Sequence, residues 1–202
     1  MNQASTLHHF RTRGYLPEDI VASSRCDDLD LAGLPPFLRT LLVTDGTVTK
    51  SLEAYFWEPV EVETLGQARI RAPAALPWLD LAAGAEVLDR RVRLHGTASG
   101  RFYAYARSEL RLELLPARFR DDLLDQRIGI GELLRECGLE TYREILDLGS
   151  ARDPEIAAAL GVPGPSELVA RSYRIVLGGR PAILIHEYFP LSRFAGPAGG
   201  GE

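Results

Sequence analysis

The sequence lacks any apolar run long enough to cross a membrane. A spanning helix needs roughly 18 or more consecutive apolar residues, and charged or polar residues interrupt every apolar stretch of this chain well before that length. The amino end, MNQASTLHHFRTRG, also has no apolar core of the kind that a secretory signal contains. We therefore expect a cytoplasmic protein that does not associate with membranes.

Cysteine is scarce, and basic residues form no stripe. The two cysteines, Cys26 and Cys137, lie far apart and outside any C-x-x-C pair, so we expect free thiols and no metal site. The formal net charge is −5, which argues against a nucleic-acid partner because phosphates select clustered basic residues. The 202 residues, 46% of them hydrophobic, suit a single globular domain, either a monomer or a homodimer.

Two common catalytic motifs are missing as well. The segment DGTVTKS ends like a phosphate-binding loop, but it lacks the second glycine of G-x-x-x-x-G-K-[ST], and no predicted strand precedes it. No serine lies in the strand–turn–helix context of a nucleophile elbow. The sequence therefore favours neither nucleotide binding nor serine hydrolysis.

Hydrophobic spacing predicts an α+β fold: one domain whose antiparallel sheet has helices packed on one side. LPPFLRTLLV and TVTKSLEAYF have helical spacing, with Thr47 as a possible cap of the second helix. EVLDRRVRLHG and RFYAYARSEL form one predicted hairpin, and VARSYRIVLGGRPAILIHEYF forms another, with its turn at Gly178-Gly179. LETYREILDLG fits either a helix or a strand. We expect an irregular arm over 1–32, the domain over 33–192 and a disordered tail over 193–202.

Two predicted strands each place one charged residue among apolar neighbours. Side chains alternate between the faces of a strand, so Glu187 in AILIHEYF lies on the side of Ile183, Ile185 and Phe189. In the first hairpin, Arg90 lies on the apolar side, with Leu88, Val92 and Leu94. An unpaired buried charge is costly. One interpretation is a buried Arg90–Glu187 salt bridge with no other role.

The other interpretation is a closed pocket for a small aromatic or cyclic acid. There the planar fork of Arg90 would bind a ligand carboxylate, and Glu187 would accept a hydroxyl or a proton from the ligand's other end. An apolar pocket with a few convergent polar groups is typical of such sites.

Four segments, in this order, resemble the chorismate pyruvate-lyase family, particularly its actinobacterial branch. They are LLVTDGTVTKSLEAYF, VLDRRVRLHG, IGIGELL and RSYRIVLGGRPAILIHEYFP, which together cover about residues 37–190. The resemblance implies conversion of chorismate to 4-hydroxybenzoate and pyruvate without a metal or organic cofactor. It also implies a single domain around an antiparallel sheet, with a buried ligand pocket under helical flaps.

The resemblance also implies roles for individual residues. Arg90 matches the family's carboxylate-binding arginine, and Glu187 matches its essential glutamate. Val48 and Ile130 match positions whose backbone contacts the ligand, although RIGIG departs from the proline-containing form that relatives often have before Ile130. Two further basic positions, Arg171 and Arg174, match without an assigned role.

Two alternatives remain open at this point. The same fold serves as the sensor domain of a group of transcriptional regulators, where the pocket binds a metabolite without converting it. Those proteins carry a winged-helix segment ahead of the sensor, and residues 1–36 are too short and irregular for one. A lyase-like enzyme acting on a related enolpyruvyl acid is the other alternative, which the sequence does not distinguish from the main hypothesis.

Overall fold

The protein is built around one antiparallel sheet. The computed structural model describes residues 29, 31, 33–45, 47–124, 129–164 and 166–196. Within those ranges, six strands lie side by side in the order β1-β2-β3-β6-β5-β4. Their bounds are Val60–Arg71 (β1), Glu86–Gly96 (β2), Phe102–Leu110 (β3), Tyr142–Ala151 (β4), Leu168–Leu177 (β5) and Arg180–Pro190 (β6).

Five α-helices connect and cover the strands in the described part of the chain. Their bounds are Pro36–Val43 (α1), Val48–Phe56 (α2), Ala117–Leu124 (α3), Ile130–Glu136 (α4) and Pro154–Ala159 (α5). None of the described helices is long and apolar enough to cross a bilayer. The predicted α+β class and the single antiparallel sheet are confirmed.

Both predicted hairpins are present. The β5–β6 turn uses Gly178 and Gly179 at φ of 53° and 77°, a left-handed backbone that residues with a Cβ rarely adopt. One bulge follows directly: Ile175 pairs with Ile183 and Val176 with Pro181, so Ala182 is an extra residue in β6. The bulge shifts every later pair of this hairpin by one residue, which decides what faces Glu187.

The structure decides one open alternative and corrects two expectations. The segment that fitted either helix or strand is a strand, β4. Thr47 precedes α2, but its side chain makes no capping hydrogen bond among the described residues. Helices do not lie on one side only. α5 packs on the other face of the sheet, in a small cluster with Phe102 and Tyr188.

The main core lies between the opposite sheet face and the helices α1 to α4. Its most buried members include Leu38, Leu41, Phe119 and Leu133, each with no exposed surface. The core reaches beyond both predicted domain boundaries, because Leu29, Leu31 and Phe194 are buried in it. The remainder of the predicted arm and the tail beyond residue 196 lie outside the described residues.

Candidate functional site

The floor of a cavity is formed by two rows of side chains that cross the sheet. In the first row, Arg90 pairs with Ser108, and Ser108 pairs with Ile185. In the second, Val92 pairs with Ala106, Ala106 with Glu187, and Glu187 with Arg171. Because partners on one sheet face point the same way, strand register alone brings Arg90 and Glu187 onto a common surface.

Small side chains in the centre of this floor leave room above it. Ala106 and Ser108 of β3 separate the strand of Arg90 from the strand of Glu187, and both lie on the cavity wall. The cavity holds about 550 Å³ of empty space, its open mouth included. Apolar walls come from β1, β2, β5 and β6: Val62, Val92, Leu94, Ile175 and Ile185.

The roof consists of two helix starts. Val48 begins α2 and Ile130 begins α4, and both residues line the cavity. A Cβ added to Gly131 would lie 3.3 Å from the side chain of Thr47, so the two starts are in close contact. Main-chain amides in the first turn of a helix have no partner inside the helix, so amides of the α2 start are available at the cavity.

Arg90 carries its charge into an almost fully buried position. Only 2% of the residue is exposed, and its Nη2 donates to the Thr64 hydroxyl at 3.3 Å. Burial lowers the pKa of Arg90 to about 10, because an apolar surrounding disfavours the charged form. The guanidinium is therefore still charged at neutral pH, and an anion entering the cavity would relieve the cost of burying it.

Glu187 is held by two neighbours on β5. Its Oε2 accepts from Arg171 Nε at 2.7 Å, and its Oε1 accepts from the Tyr173 hydroxyl at 3.1 Å. The hypothesis of an Arg90–Glu187 salt bridge is therefore wrong as to the partner: the ion pair of Glu187 is with Arg171. Glu187 is fixed in place and lines the cavity, in the row next to the one that carries Arg90.

Arg171 and Tyr173 form the support of this carboxylate. Burial alone would lower the pKa of Arg171, but the adjacent Glu187 carboxylate reverses the effect and raises it. Burial also raises the pKa of Tyr173, so its hydroxyl keeps the proton that it donates. Arg171 Nη1 further donates to the carbonyl oxygens of Leu41 and Thr44, which joins the sheet to the segment leading into α2.

The sequence interpretation missed one charged residue of the cavity, Arg143, and left Arg171 and Arg174 without a role. Arg143 of β4 lines the cavity, and its side chain is 15% exposed. Arg143 lies in the segment that fitted either a helix or a strand, so the sequence did not indicate which way its side chain points. Arg174, in contrast, lies on the other side of β5 from Tyr173 and Ile175, where its Nε donates to Glu144 at 2.7 Å.

The four residues singled out from the sequence therefore lie on one cavity: Arg90, Glu187, Val48 and Ile130. Together they offer a charged fork, a fixed hydrogen-bond acceptor across from it, and two helix starts above. Such an arrangement suits a ring that carries a carboxylate at one end and a hydroxyl at the other.

Comparison with known proteins gives matches over most of the chain. A protein-family model described as "Chorismate pyruvate-lyase Rv2949c-like" matches residues 42–195. A chorismate pyruvate-lyase of Mycobacterium leprae is 32% identical over 158 residues, covering 78% of this chain and 75% of the relative. A chorismate pyruvate-lyase of Mycobacterium tuberculosis is 28% identical over 172 residues, covering 83% and 86%.

Among solved structures, the fold matches that of regulator domains. PhnF from Mycobacterium smegmatis superposes with a TM-score of 0.61 at 16% identity, covering 76% of this chain and 67% of that chain. The effector domain of PhnF alone gives a TM-score of 0.58 at 16% identity, covering 73% and 90%. At that identity the likeness concerns the fold alone.

Proposed function

Because the chain belongs to the Rv2949c-like chorismate pyruvate-lyase family, we propose that it eliminates pyruvate from chorismate and releases 4-hydroxybenzoate. The observation that carries the proposal is the placement of Arg90 and Glu187 on one cavity, with small residues between them. We further propose that the protein acts in the cytoplasm, on a small-molecule substrate and without a cofactor.

Much of the driving force resides in the substrate. Loss of the enolpyruvyl side chain makes the cyclohexadiene ring of chorismate aromatic. The ring carbon–oxygen bond of the ether breaks, the neighbouring ring carbon that bears the hydroxyl loses its hydrogen, and the pyruvate methylene gains a proton. Atoms balance without a co-reactant, so the protein has to orient the ether, exclude water and stabilise the developing charge.

Arg90 and Glu187 divide the work of orientation. The guanidinium of Arg90 holds the ring carboxylate through two parallel hydrogen bonds. Glu187 accepts the hydrogen bond of the ring hydroxyl and assists the proton movement next to it. Arg171 and Tyr173 hold Glu187 in position, and its oxygens keep further lone pairs for the ring hydroxyl, so binding of the substrate requires little reorganisation. Amides at the starts of α2 and α4, near Val48 and Ile130, complete the ring's environment.

Incubation with chorismate tests the proposal directly. We expect pyruvate and 4-hydroxybenzoate in equal amounts, measured by coupled reduction of pyruvate and by chromatography of the aromatic product. Glu187→Gln keeps the shape of the side chain, and we expect it to lower the rate by about 100-fold or more. Binding of 4-hydroxybenzoate without release of pyruvate would instead support a sensor, and a different aromatic product would identify another enolpyruvyl acid or regiochemistry.

Filling the floor should remove ligand binding without unfolding the protein. Ala106→Leu places additional methyl groups in the open space between Val92 and Glu187, where the aromatic ring is proposed to lie. We expect affinity for 4-hydroxybenzoate to fall by at least about tenfold while Tm stays within a few degrees, because the side chain enters a void. Calorimetric titration and thermal melts measure the two effects, and undiminished affinity would contradict the proposed position of the ring.

A further inference from the structure

A second cation faces the cavity from the strand farthest from Arg90. Arg143 lies on β4 and Arg90 on β2, so four strand spacings, about 19 Å, separate their backbones across the sheet. Both side chains nevertheless line the same cavity, together with Ile175 and Ser108 from the strands between. The two guanidinium groups therefore mark two ends of one hollow.

The Arg143 side chain does not use all of its N–H donors in hydrogen bonds among the described residues. Its Nη1 donates to the carbonyl oxygen of Asp45 and lies 3.4 Å from the Asp45 carboxylate. That carboxylate is 72% exposed, so its attraction for the guanidinium is weakened by solvent. The Nε of Arg143 is buried and has no hydrogen-bond partner among the described residues. A guanidinium offers five N–H donors, and this one uses few of them.

Other arginines of the sheet differ in this respect. Arg174, Arg171 and Arg93 each donate from Nε to a carboxylate at 2.7 Å. Arg143 lies next to the roof instead, where its Nη2 is 3.7 Å from the position that a Cβ on Gly131 would take. Its position is therefore beneath both helix starts, within reach of a group entering between them.

We propose that Arg143 binds the second carboxylate of the substrate, the one on the enolpyruvyl side chain. The inference rests on the proposed function, and it makes the cavity a site for a dicarboxylate, with Arg90 at the ring end and Arg143 at the side-chain end. The reaction separates the two carboxylates, since one leaves in pyruvate. The aromatic product then keeps its contact with Arg90 and makes none with Arg143.

Substitution of Arg143 is expected to impair use of the substrate but not binding of the product. Arg143→Gln is expected to lower kcat/KM for chorismate by about 10- to 100-fold, the effect of losing a charge-assisted hydrogen bond pair. The dissociation constant of 4-hydroxybenzoate should change by less than about twofold, because the product lacks the second carboxylate. Arg143→Lys keeps the charge but loses the fork, so its loss should be intermediate.

Two control variants separate this role from a structural one. Arg174→Gln removes a guanidinium from the neighbouring strand on the outer face, and its kcat/KM should equal that of the wild type. Asp45→Ala removes the exposed carboxylate beside Arg143 and should not reproduce the loss. If Arg143→Gln leaves kcat/KM unchanged, or weakens the binding of product and substrate equally, the inference is wrong. Arg143 then serves only to position the segment that leads into α2.

Failure of the lyase proposal remains distinguishable from failure of this inference. If the wild type releases no pyruvate, chorismate is stable in the cell of the calorimeter and its dissociation constant is measured directly. For the inference to hold, Arg143→Gln must then lower the affinity for chorismate at least about tenfold more than it lowers the affinity for 4-hydroxybenzoate. Equal weakening, or none, overturns it in that case too.

Discussion

Arg90→Met is expected to abolish pyruvate release and to leave the stability of the protein within about 1 kcal/mol of the wild type. Burial lowers the pKa of Arg90 to about 10, so burying the charged guanidinium opposes folding. Methionine fills a similar volume among Leu88, Val92 and Leu94 without that cost. The variant also gives up polar contacts of the guanidinium, among them the hydrogen bond to Thr64, so the two changes are expected to offset each other.

The pH dependence has a definite sign. A base whose pKa is lower in the folded state than in the unfolded state opposes folding wherever it is charged. The cost is complete below about pH 10 and disappears as the pH rises from about 10 into the ordinary arginine range. The stability difference between Arg90→Met and the wild type is therefore expected to be constant through neutral pH and to shift in favour of the wild type only above about pH 10.

Urea unfolding and a pyruvate assay measure the two effects on the same preparation. Loss of the carboxylate anchor should cost about 10²- to 10⁴-fold in kcat/KM, as removal of a buried charged partner does elsewhere. Arg90→Lys is the matched control: it keeps the buried charge, so it should gain no stability, yet it loses the fork and much of the activity. A variant Arg90→Met that is less stable than the wild type by more than about 1 kcal/mol would contradict the account.

Alternation along strands was enough to identify Arg90 and Glu187, because side chains on a strand alternate between two faces whatever the sheet around it. Which residues face each other on neighbouring strands could not be predicted from the sequence in the same way. A two-residue turn with unbroken pairing places Glu187 opposite Ala170, whereas the extra Ala182 moves it opposite Arg171. The bulge follows Pro181, which lacks an N–H for the ladder, but its position is set by packing across the whole sheet.

Arg143 was missed in the sequence for a different reason. YREILDLG has apolar residues at spacings that fit a helix and a half-buried strand equally well, so no face was assigned to Arg143. Edge pairing with β5 decides for a strand, and that pairing depends on residues far away in the sequence. The face test would have found Arg171 as well, since it shares its side of β5 with Val169, Tyr173 and Ile175.

Arg171→Met is expected to lower the stability of the protein, in contrast to Arg90→Met, although both arginines are 2% exposed. Removing Arg171 leaves the Glu187 carboxylate buried without its ion-pair partner and removes a donor from the carbonyls of Leu41 and Thr44. Breaking a buried pair in this way costs about 3–5 kcal/mol. Since Glu187 raises the pKa of Arg171, the stabilisation that comes from the arginine charge is lost only as the pH rises through and above the ordinary arginine range.

A double-mutant cycle isolates the pair from the packing. Glu187→Gln alone leaves the Arg171 charge unpaired, and the combination Arg171→Met with Glu187→Gln removes both charges. We expect the double variant to be more stable than the sum of the two single losses predicts, by about 2 kcal/mol or more. Additive losses would show that Arg171 acts through the carbonyls of the α1–α2 connection and that Glu187 is held by Tyr173. Pyruvate release should fall by about 100-fold or more in all three variants, because in each of them the Glu187 carboxylate is absent or has lost the arginine that positions it.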